Sequence, residues 1–384
     1  MNGRPPSLSV GAFGLCAPQA PSVCCDPTPR PAVSHINGDC EFADRRLRKE
    51  GQPDEQFAEV CEDIWAVVLA AGEGSRLRSL TTTSSGTAIP KQFWSLRGER
   101  SLLHEALQRA TAVAPRTRRC IVVAERHRQW WETELSAEPQ ENVIVQPSNR
   151  GTAIGILLPL LHIVIRDPDA RVVLLPSNHH VRDESALAAA LQEAMRQLQA
   201  RRNQILLLGI SPEDDDPELG YIVPGIVDGS AVRRISHLVE KPSVPLTRSL
   251  MASGALWNSS IIVAHAKGLL QVLSYHFPNI VDEMQSVVEH SPCTGAAPAA
   301  AVTLYRRLPD VEFSRQILES VATVLRVLPV ERCGWSNLET PQQVATVLRR
   351  PPRLDDEPRQ GQDRPYSPLS LADAARAEGR WICN

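Results

Sequence analysis

The chain lacks a long apolar run, a paired cysteine motif and an excess of charge of either sign. Its longest apolar stretch, residues 154–165, is well short of the ~20 residues a membrane-spanning helix needs, and Pro159 interrupts it. A net charge of -3 at pH 7 gives no general attraction to nucleic acid. The basic clusters at Arg45, Arg46, Arg48 and Lys49 and at Arg116, Arg118 and Arg119 are short and read as solvated faces. Neither a nucleic acid nor a membrane is therefore expected as a partner. The cysteines number nine, are scattered, and include no CxxC pair. Cys16, Cys24, Cys25 and Cys40 show no metal-ligand spacing, so reduced thiols in a cytoplasmic protein are expected. Residues 8–16 are weakly apolar and only Arg4 precedes them, which makes a poor secretory signal. There is no Gly-Lys-Ser/Thr phosphate loop and no internal repeat.

What is present is enough apolar material, 42% of 384 residues, for one large domain or two ordinary ones. Residues 1–61 are rich in Pro, Ser and Cys and show no periodicity, so they read as a disordered leader. Residues 351–384 turn proline-rich and charged again and read as a flexible tail, with a short helix at 369–377. Between them, in a domain at 62–350, strand-like runs at 64–70, 120–124, 143–146, 171–175 and 205–210 alternate with helical patterns at 102–113, 126–135, 152–165 and 184–198. Continuous β-branched apolarity suits parallel strands buried on both faces, and the alternation predicts a doubly wound, mostly parallel α/β sheet. After residue 210 the pattern changes to a mixed region. Strands are expected there at 221–223, 232–239, 260–264 and 323–327, helices at 267–275 and 280–289, a small-residue loop at 293–301 and a final helix from Pro341. Ligands in such sheets bind at the carboxyl ends of the strands, where Gly72, Gln146 and Asn178 fall.

Residues 66–93, AVVLAAGEGSRLRSLTTTSSGTAIPKQF, carry the strongest signal. An apolar strand runs into the turn Gly72-Glu73-Gly74, with Arg76 directly after it and Lys91 behind a proline. Backbone N–H groups exposed at such a turn, with two cations nearby, suit a phosphate. The third glycine of a dinucleotide fingerprint would fall at Leu77, which argues against a dinucleotide enzyme. The run Asp214-Asp215-Asp216 reads as a solvated loop. His179 and His180, adjacent on an extended backbone, point to opposite sides and do not read as a zinc pair.

The segment resembles the LAxGxGxRL…PK signature of sugar-1-phosphate nucleotidyltransferases, and Pro90-Lys91-Gln92-Phe93 resembles the mannose-1-phosphate guanylyltransferase branch. Further resemblances follow in family order. Gln146-Pro147 with Arg150-Gly151-Thr152-Ala153 is similar to QPxxRNTA, with Gly151 in place of Asn. Pro176-Ser177-Asn178-His179 is similar to PSDH, Gly220-Tyr221-Ile222 to GYI, Glu240-Lys241-Pro242 to EKP, Trp257-Asn258-Ser259 to WNSG up to Ser260, and Gly334-Trp335-Ser336-Asn337 to the WSD element. The resemblance spans about residues 64–348. It implies a Rossmann-like fold of the nucleotide-diphospho-sugar transferase type with a mixed sugar-binding part. It also implies a reaction in which a sugar 1-phosphate attacks a nucleoside triphosphate and releases pyrophosphate, with GTP and mannose 1-phosphate as substrates and Mg²⁺ as cofactor. The nucleophile is already an anion, so catalysis is positioning and charge neutralisation. By resemblance Arg76 and Lys91 are catalytic. Ala71, Gly72, Gly74, Ser75, Gln146, Gly151 and Thr152 bind nucleotide, with Gln146 on the base. Gly220, Glu240, Lys241 and Asn258 bind the sugar phosphate. An isomerase or β-helix domain after residue 350 is not expected.

One departure bears on the metal. The two family aspartates that hold Mg²⁺ fall at Asn178 and Asn337, and the next family glycine is Glu339. A neutral carbonyl oxygen replaces each carboxylate. A unit-charge pair at ~4 Å is worth about 4 kcal/mol at an effective dielectric near 20, so metal binding and activity are expected to be impaired. Two readings stand. Other carboxylates, Asp183, Glu184 or Glu339, serve instead, or the chain is a sugar-nucleotide-binding homologue with a regulatory role.

Overall fold

Strand β1 (Ile64–Ala70) shows why a sheet forms in the middle of this chain. Ala66, Val68 and Ala70 pack into one apolar cluster while Trp65 and Val67 pack into a second. Both faces are buried, as uninterrupted apolarity predicts. The computed structural model describes residues 63–225, 230–321 and 323–349. The expected leader, tail and helix at 369–377 lie outside the described residues.

The strands β2 (Arg119–Ala124), β3 (Val143–Gln146), β4 (Arg171–Pro176), β6 (Ile205–Ile210), β7 (Tyr221–Pro224), β8 (Arg233–Val239), β9 (Leu256–His265) and β10 (Leu325–Val330) join β1 in one nine-stranded sheet of order β3-β2-β1-β4-β9-β6-β10-β8-β7. A separate pair, β5 (His179–His180) and β11 (Ser336–Asn337), is antiparallel. β1, β2, β3 and β4 are mutually parallel, and β6 is parallel to β10. β9 is antiparallel to both β4 and β6, and β7 and β8 extend the antiparallel part. The five N-terminal strands thus lie where periodicity predicts, and the mixed part enters the middle of the sheet through β9. β9 also begins four residues earlier than expected, because Leu256 and Trp257 pair with β7.

The helix Gly151–Arg166 covers one face, placing Ile154, Leu157 and Leu161 in the second cluster beside residues of the helices Ala266–His276 and Pro278–His290. The helices Leu102–Thr111 and Glu184–Gln199 cover the other, with Leu103, Ala106, Leu187 and Leu191 in the first cluster. Each buried Leu or Ile among these contributes about 2 kcal/mol. Among the described residues no helix is long and apolar enough to cross a membrane. The helix Ala299–Tyr305 begins inside the segment expected to be a small-residue loop, since an alanine run is a strong helix former once Pro298 starts it. The helix Val244–Ala252, with its proline in the first turn, was not expected. The Asp214–Asp216 segment is pinned: Arg248 pairs with Asp215 and Gln343 donates to Asp216.

Candidate functional site

The carboxyl ends of β1, β3 and β4 open onto two adjoining cavities of about 250 and about 590 Å³ that share nine lining residues. All fifteen residues singled out from the sequence line one or both. The combined space falls in the range of small-molecule sites.

The loop after β1 is fixed from behind. Gln92 is buried, and its Nε2 donates to the carbonyls of Ala70 at 2.9 Å and Gly72 at 3.2 Å. Gly74 is left-handed at φ 63°, and a Cβ there would sit 2.9 Å from Lys91 Cγ. Nothing lies within 4 Å of a Cβ at Gly72, so this part of the turn faces open space. Lys91 is largely buried, and its Nζ lies 3.7 Å from Glu339 Oε1. Burial pulls its ammonium below the ordinary lysine range, and Glu339 opposes that pull. Arg76 is half-exposed, with Nη1 3.0 Å from Glu218 Oε2, and the same oxygen lies 3.4 Å from Lys241 Nζ.

The wall opposite is β3 and the start of the helix Gly151–Arg166. Gln146, last residue of β3, is buried and lines the smaller cavity, and its Oε1 has no hydrogen-bond partner. Gly151 has φ +80°, and a Cβ there would fall 2.3 Å from the carbonyl oxygen of Val311. This chain's glycine, in place of the motif's asparagine, admits that carbonyl, which accepts from Ala153 N at 2.9 Å. The Thr152 hydroxyl donates to Glu312 Oε2 at 3.0 Å and accepts from Phe313 N at 2.8 Å. Segment 311–313 therefore latches the start of the helix.

The other half of the cleft is built on the antiparallel strands. Asn258 N donates to the carbonyl of Gly220 at 2.8 Å, and Asn258 Oδ1 accepts from Ser260 N. A Cβ on Gly220 would come 2.6 Å from Glu240 Oε2, so the missing side chain makes room for this carboxylate. Burial holds the Glu240 carboxyl above the usual range against the pull of Lys241, and Glu319, Glu339 and Glu312 push it further up. Tyr221 and Trp257 support the strands from below through a Trp257 Nε1–Tyr221 hydroxyl bond of 3.2 Å.

A nucleotidyl transferase family model matches residues 65–302. The chain belongs to the nucleotidyl transferase family. The alginate biosynthesis protein AlgA of Pseudomonas syringae pv. tomato is 30% identical over 278 residues, 71% of this chain and 56% of that protein. The mannose-1-phosphate guanylyltransferase of Escherichia coli is 27% identical over 284 residues, 72% of this chain and 58% of that one. The chain thus spans a little over half the length of the curated relatives it matches. The crystal structure of the mannose-1-phosphate geranyltransferase from Thermus thermophilus matches with a TM-score of 0.62 at 24% identity, over 76% of this chain and 80% of that one, a likeness of fold.

The two asparagines come together through the β5–β11 register, which pairs His179 with Asn337 and His180 with Ser336. Leu338 N donates to the Asn178 carbonyl at 2.9 Å. Asn178 Nδ2 donates to Asn337 Oδ1 and, at 3.5 Å, to Glu339 Oε1. Of the three carboxylates weighed as replacements, Asp183 caps the helix Glu184–Gln199 by accepting from Ala186 N, and Glu184 is bonded to Arg109. Glu339 alone of these three reaches the cleft, and it is already paired with Lys91. Among the described residues no three His, Cys, Asp or Glu side chains gather where they could hold an ion. Two carboxamides and one engaged carboxylate do not fit the hard anionic oxygen set that Mg²⁺ takes.

Sequence reading missed Gln92 as the support of the loop, although it stands in the Pro90–Phe93 motif. It also missed Glu218 and Glu312. Neither lies in a recognised motif, and both reach the cleft only through the fold.

Proposed function

We propose that this chain joins a nucleoside triphosphate and a sugar 1-phosphate into a nucleotide sugar, with GTP and mannose 1-phosphate as the substrate pair. A phosphate oxygen of the sugar 1-phosphate forms a bond to the α-phosphorus, the bond from that phosphorus to the β-phosphate oxygen breaks, and pyrophosphate leaves. The observation that carries this reading is the convergence of all fifteen motif residues on one cleft at the strand ends. In it the backbone from Ala71 to Ser75 cradles the triphosphate, Arg76 meets the leaving pyrophosphate, and Lys91 meets the α-phosphate region. Lys241 takes the sugar phosphate, and Glu240 and Asn258 take sugar hydroxyls. The unpartnered Gln146 oxygen is an acceptor that a base N–H can meet, and the choice of guanine rests on the Pro90–Phe93 resemblance. Relatives named mannose-1-phosphate guanylyltransferase support the same pair. A cytoplasmic setting goes with this reading.

The Asn178–Asn337 contact favours a second reading, a sugar-nucleotide-binding protein without turnover that regulates another enzyme. Pyrophosphate release separates the two. Purified protein with each triphosphate, MgCl₂ and mannose 1-phosphate or glucose 1-phosphate is expected to release pyrophosphate fastest from GTP with mannose 1-phosphate. No pyrophosphate from any pair, with GDP-mannose still bound, selects the second reading.

A further inference from the structure

The larger cavity, which holds the phosphate end of the cleft, is lined by five glutamates and four cations. Glu73, Glu218, Glu240, Glu312 and Glu339 face Arg76, Lys91, Lys241 and Arg315. Three of the cations are engaged by these carboxylates: Arg76 and Lys241 by Glu218, and Lys91 by Glu339. A ligand phosphate meets each of these cations already facing a carboxylate. A free triphosphate carries about four negative charges near neutral pH, whereas a nucleotide diphosphate sugar carries about two, because both of its phosphates are esterified. Two carboxylates with a divalent cation between them would relieve that load, and this chain has two carboxamides there instead.

The carboxamides have another use. Asn337 accepts from Asn178 with its oxygen and keeps its N–H groups for a ligand, while the Asn178 amide nitrogen now reaches Asn337 and Glu339. The Asn178 amide and the Lys91 ammonium both face Glu339 Oε1, at 3.5 and 3.7 Å, and such donors suit an anionic oxygen.

From this arrangement we infer that the cleft selects the nucleotide diphosphate sugar over the nucleoside triphosphate and holds it without a divalent cation. Asn178, Asn337 and Lys91 form the seat, and Glu339 is the internal anion that the ligand displaces from Lys91. This rests on the nucleotide-sugar reading of the cleft. It makes the sugar nucleotide the dominant bound species whether or not turnover occurs.

Isothermal titration of the full chain with GDP-mannose and with GTP, each in excess EDTA and in MgCl₂, tests it. GDP-mannose is expected to keep its Kd within about threefold between the two buffers and, in EDTA, to bind at least ~tenfold more tightly than GTP. Loss of tenfold or more of GDP-mannose affinity in EDTA overturns the inference and leaves the proposed function standing. So does GTP binding as well as GDP-mannose in EDTA. Absence of binding by both ligands in both buffers overturns the proposed function and the inference together. The doubly restored variant Asn178→Asp with Asn337→Asp is expected to reverse the pattern, making GTP affinity rise with MgCl₂ by about tenfold or more. If its GTP affinity is indifferent to MgCl₂, the assignment of these positions is wrong.

Discussion

Two glycines of the cleft give a paired prediction in which geometry separates stability from binding. At Gly151 a methyl group would lie 2.3 Å from the Val311 carbonyl oxygen and 2.6 and 2.7 Å from the Val311 carbon and nitrogen. These are backbone atoms, held because Val311 N donates to Arg150 O and Val311 O accepts from Ala153 N. The position is also left-handed, at φ +80°. A left-handed alanine costs about 1–2 kcal/mol, and the overlap, which only a backbone shift relieves, adds about 1–3 kcal/mol. Gly151→Ala should therefore lower the unfolding free energy by about 2–5 kcal/mol. At Gly220 the nearest atom to an added methyl is Glu240 Oε2, at 2.6 Å, and Asn258 Cβ is next at 3.4 Å. A carboxylate at the end of a flexible side chain can turn aside, so Gly220→Ala should cost less than about 1 kcal/mol in stability. It displaces the group proposed to bind the sugar, and GDP-mannose affinity should fall about tenfold. Urea unfolding and titration on the two variants read both quantities. A Gly151→Ala loss below about 1 kcal/mol with an unchanged m value would refute the close packing of segment 311–313 on the helix start. A Gly220→Ala variant that binds GDP-mannose as the parent does would refute the role of Glu240.

Two further predictions follow from the same structure. Restoring both aspartates, Asn178→Asp with Asn337→Asp, should raise pyrophosphate release by about tenfold or more, because two hard anionic oxygens return to the cleft; no gain would place the metal positions elsewhere. Stability should fall as pH drops from about 6.5 towards 4. Burial and the nearby arginines push His127 and His162 down to about 4. Burial, then Arg109 and Lys91, push His179 well below its ordinary value. These imidazoles stay neutral in the fold while the unfolded chain takes up protons below ~6.5. Their contribution is thus present above that pH and lost below it. Urea unfolding at pH 7 and pH 5 should show a loss of at least about 1 kcal/mol, and a flat or rising profile would contradict the buried neutral imidazoles.

The N-terminal half of the fold was legible because its signals are local. Val67 and Val68, Ile121 to Val123, Val143 to Val145 and Leu206 to Leu208 are continuous apolar runs, and each is a strand buried on both faces. The motif residues were legible for another reason: their order along the chain matches a family, whatever their distance in space. What stayed hidden was set by pairings across long stretches of chain. β11 is two residues long and finds β5 from far along the chain, and no periodicity marks so short a strand. The contact between Asn178 and Asn337 follows from that pairing, as does the approach of Glu339 to Lys91. β9 enters between β4 and β6 rather than at the sheet edge, and only the ladder hydrogen bonds decide which neighbour a strand takes. Glu218 and Glu312 likewise reach the cleft from loops whose course the sequence does not mark.

The central claim, that the cleft at the strand ends holds a nucleotide sugar, is tested most directly by a crystal structure of the protein with GDP-mannose. Guanine should lie against Gln146, the diphosphate between the Gly72–Gly74 turn and Lys91, and the mannose beside Glu240 and Asn258. A ligand bound away from these residues, or bound with its sugar at Gln146 and its base at Glu240, would contradict it.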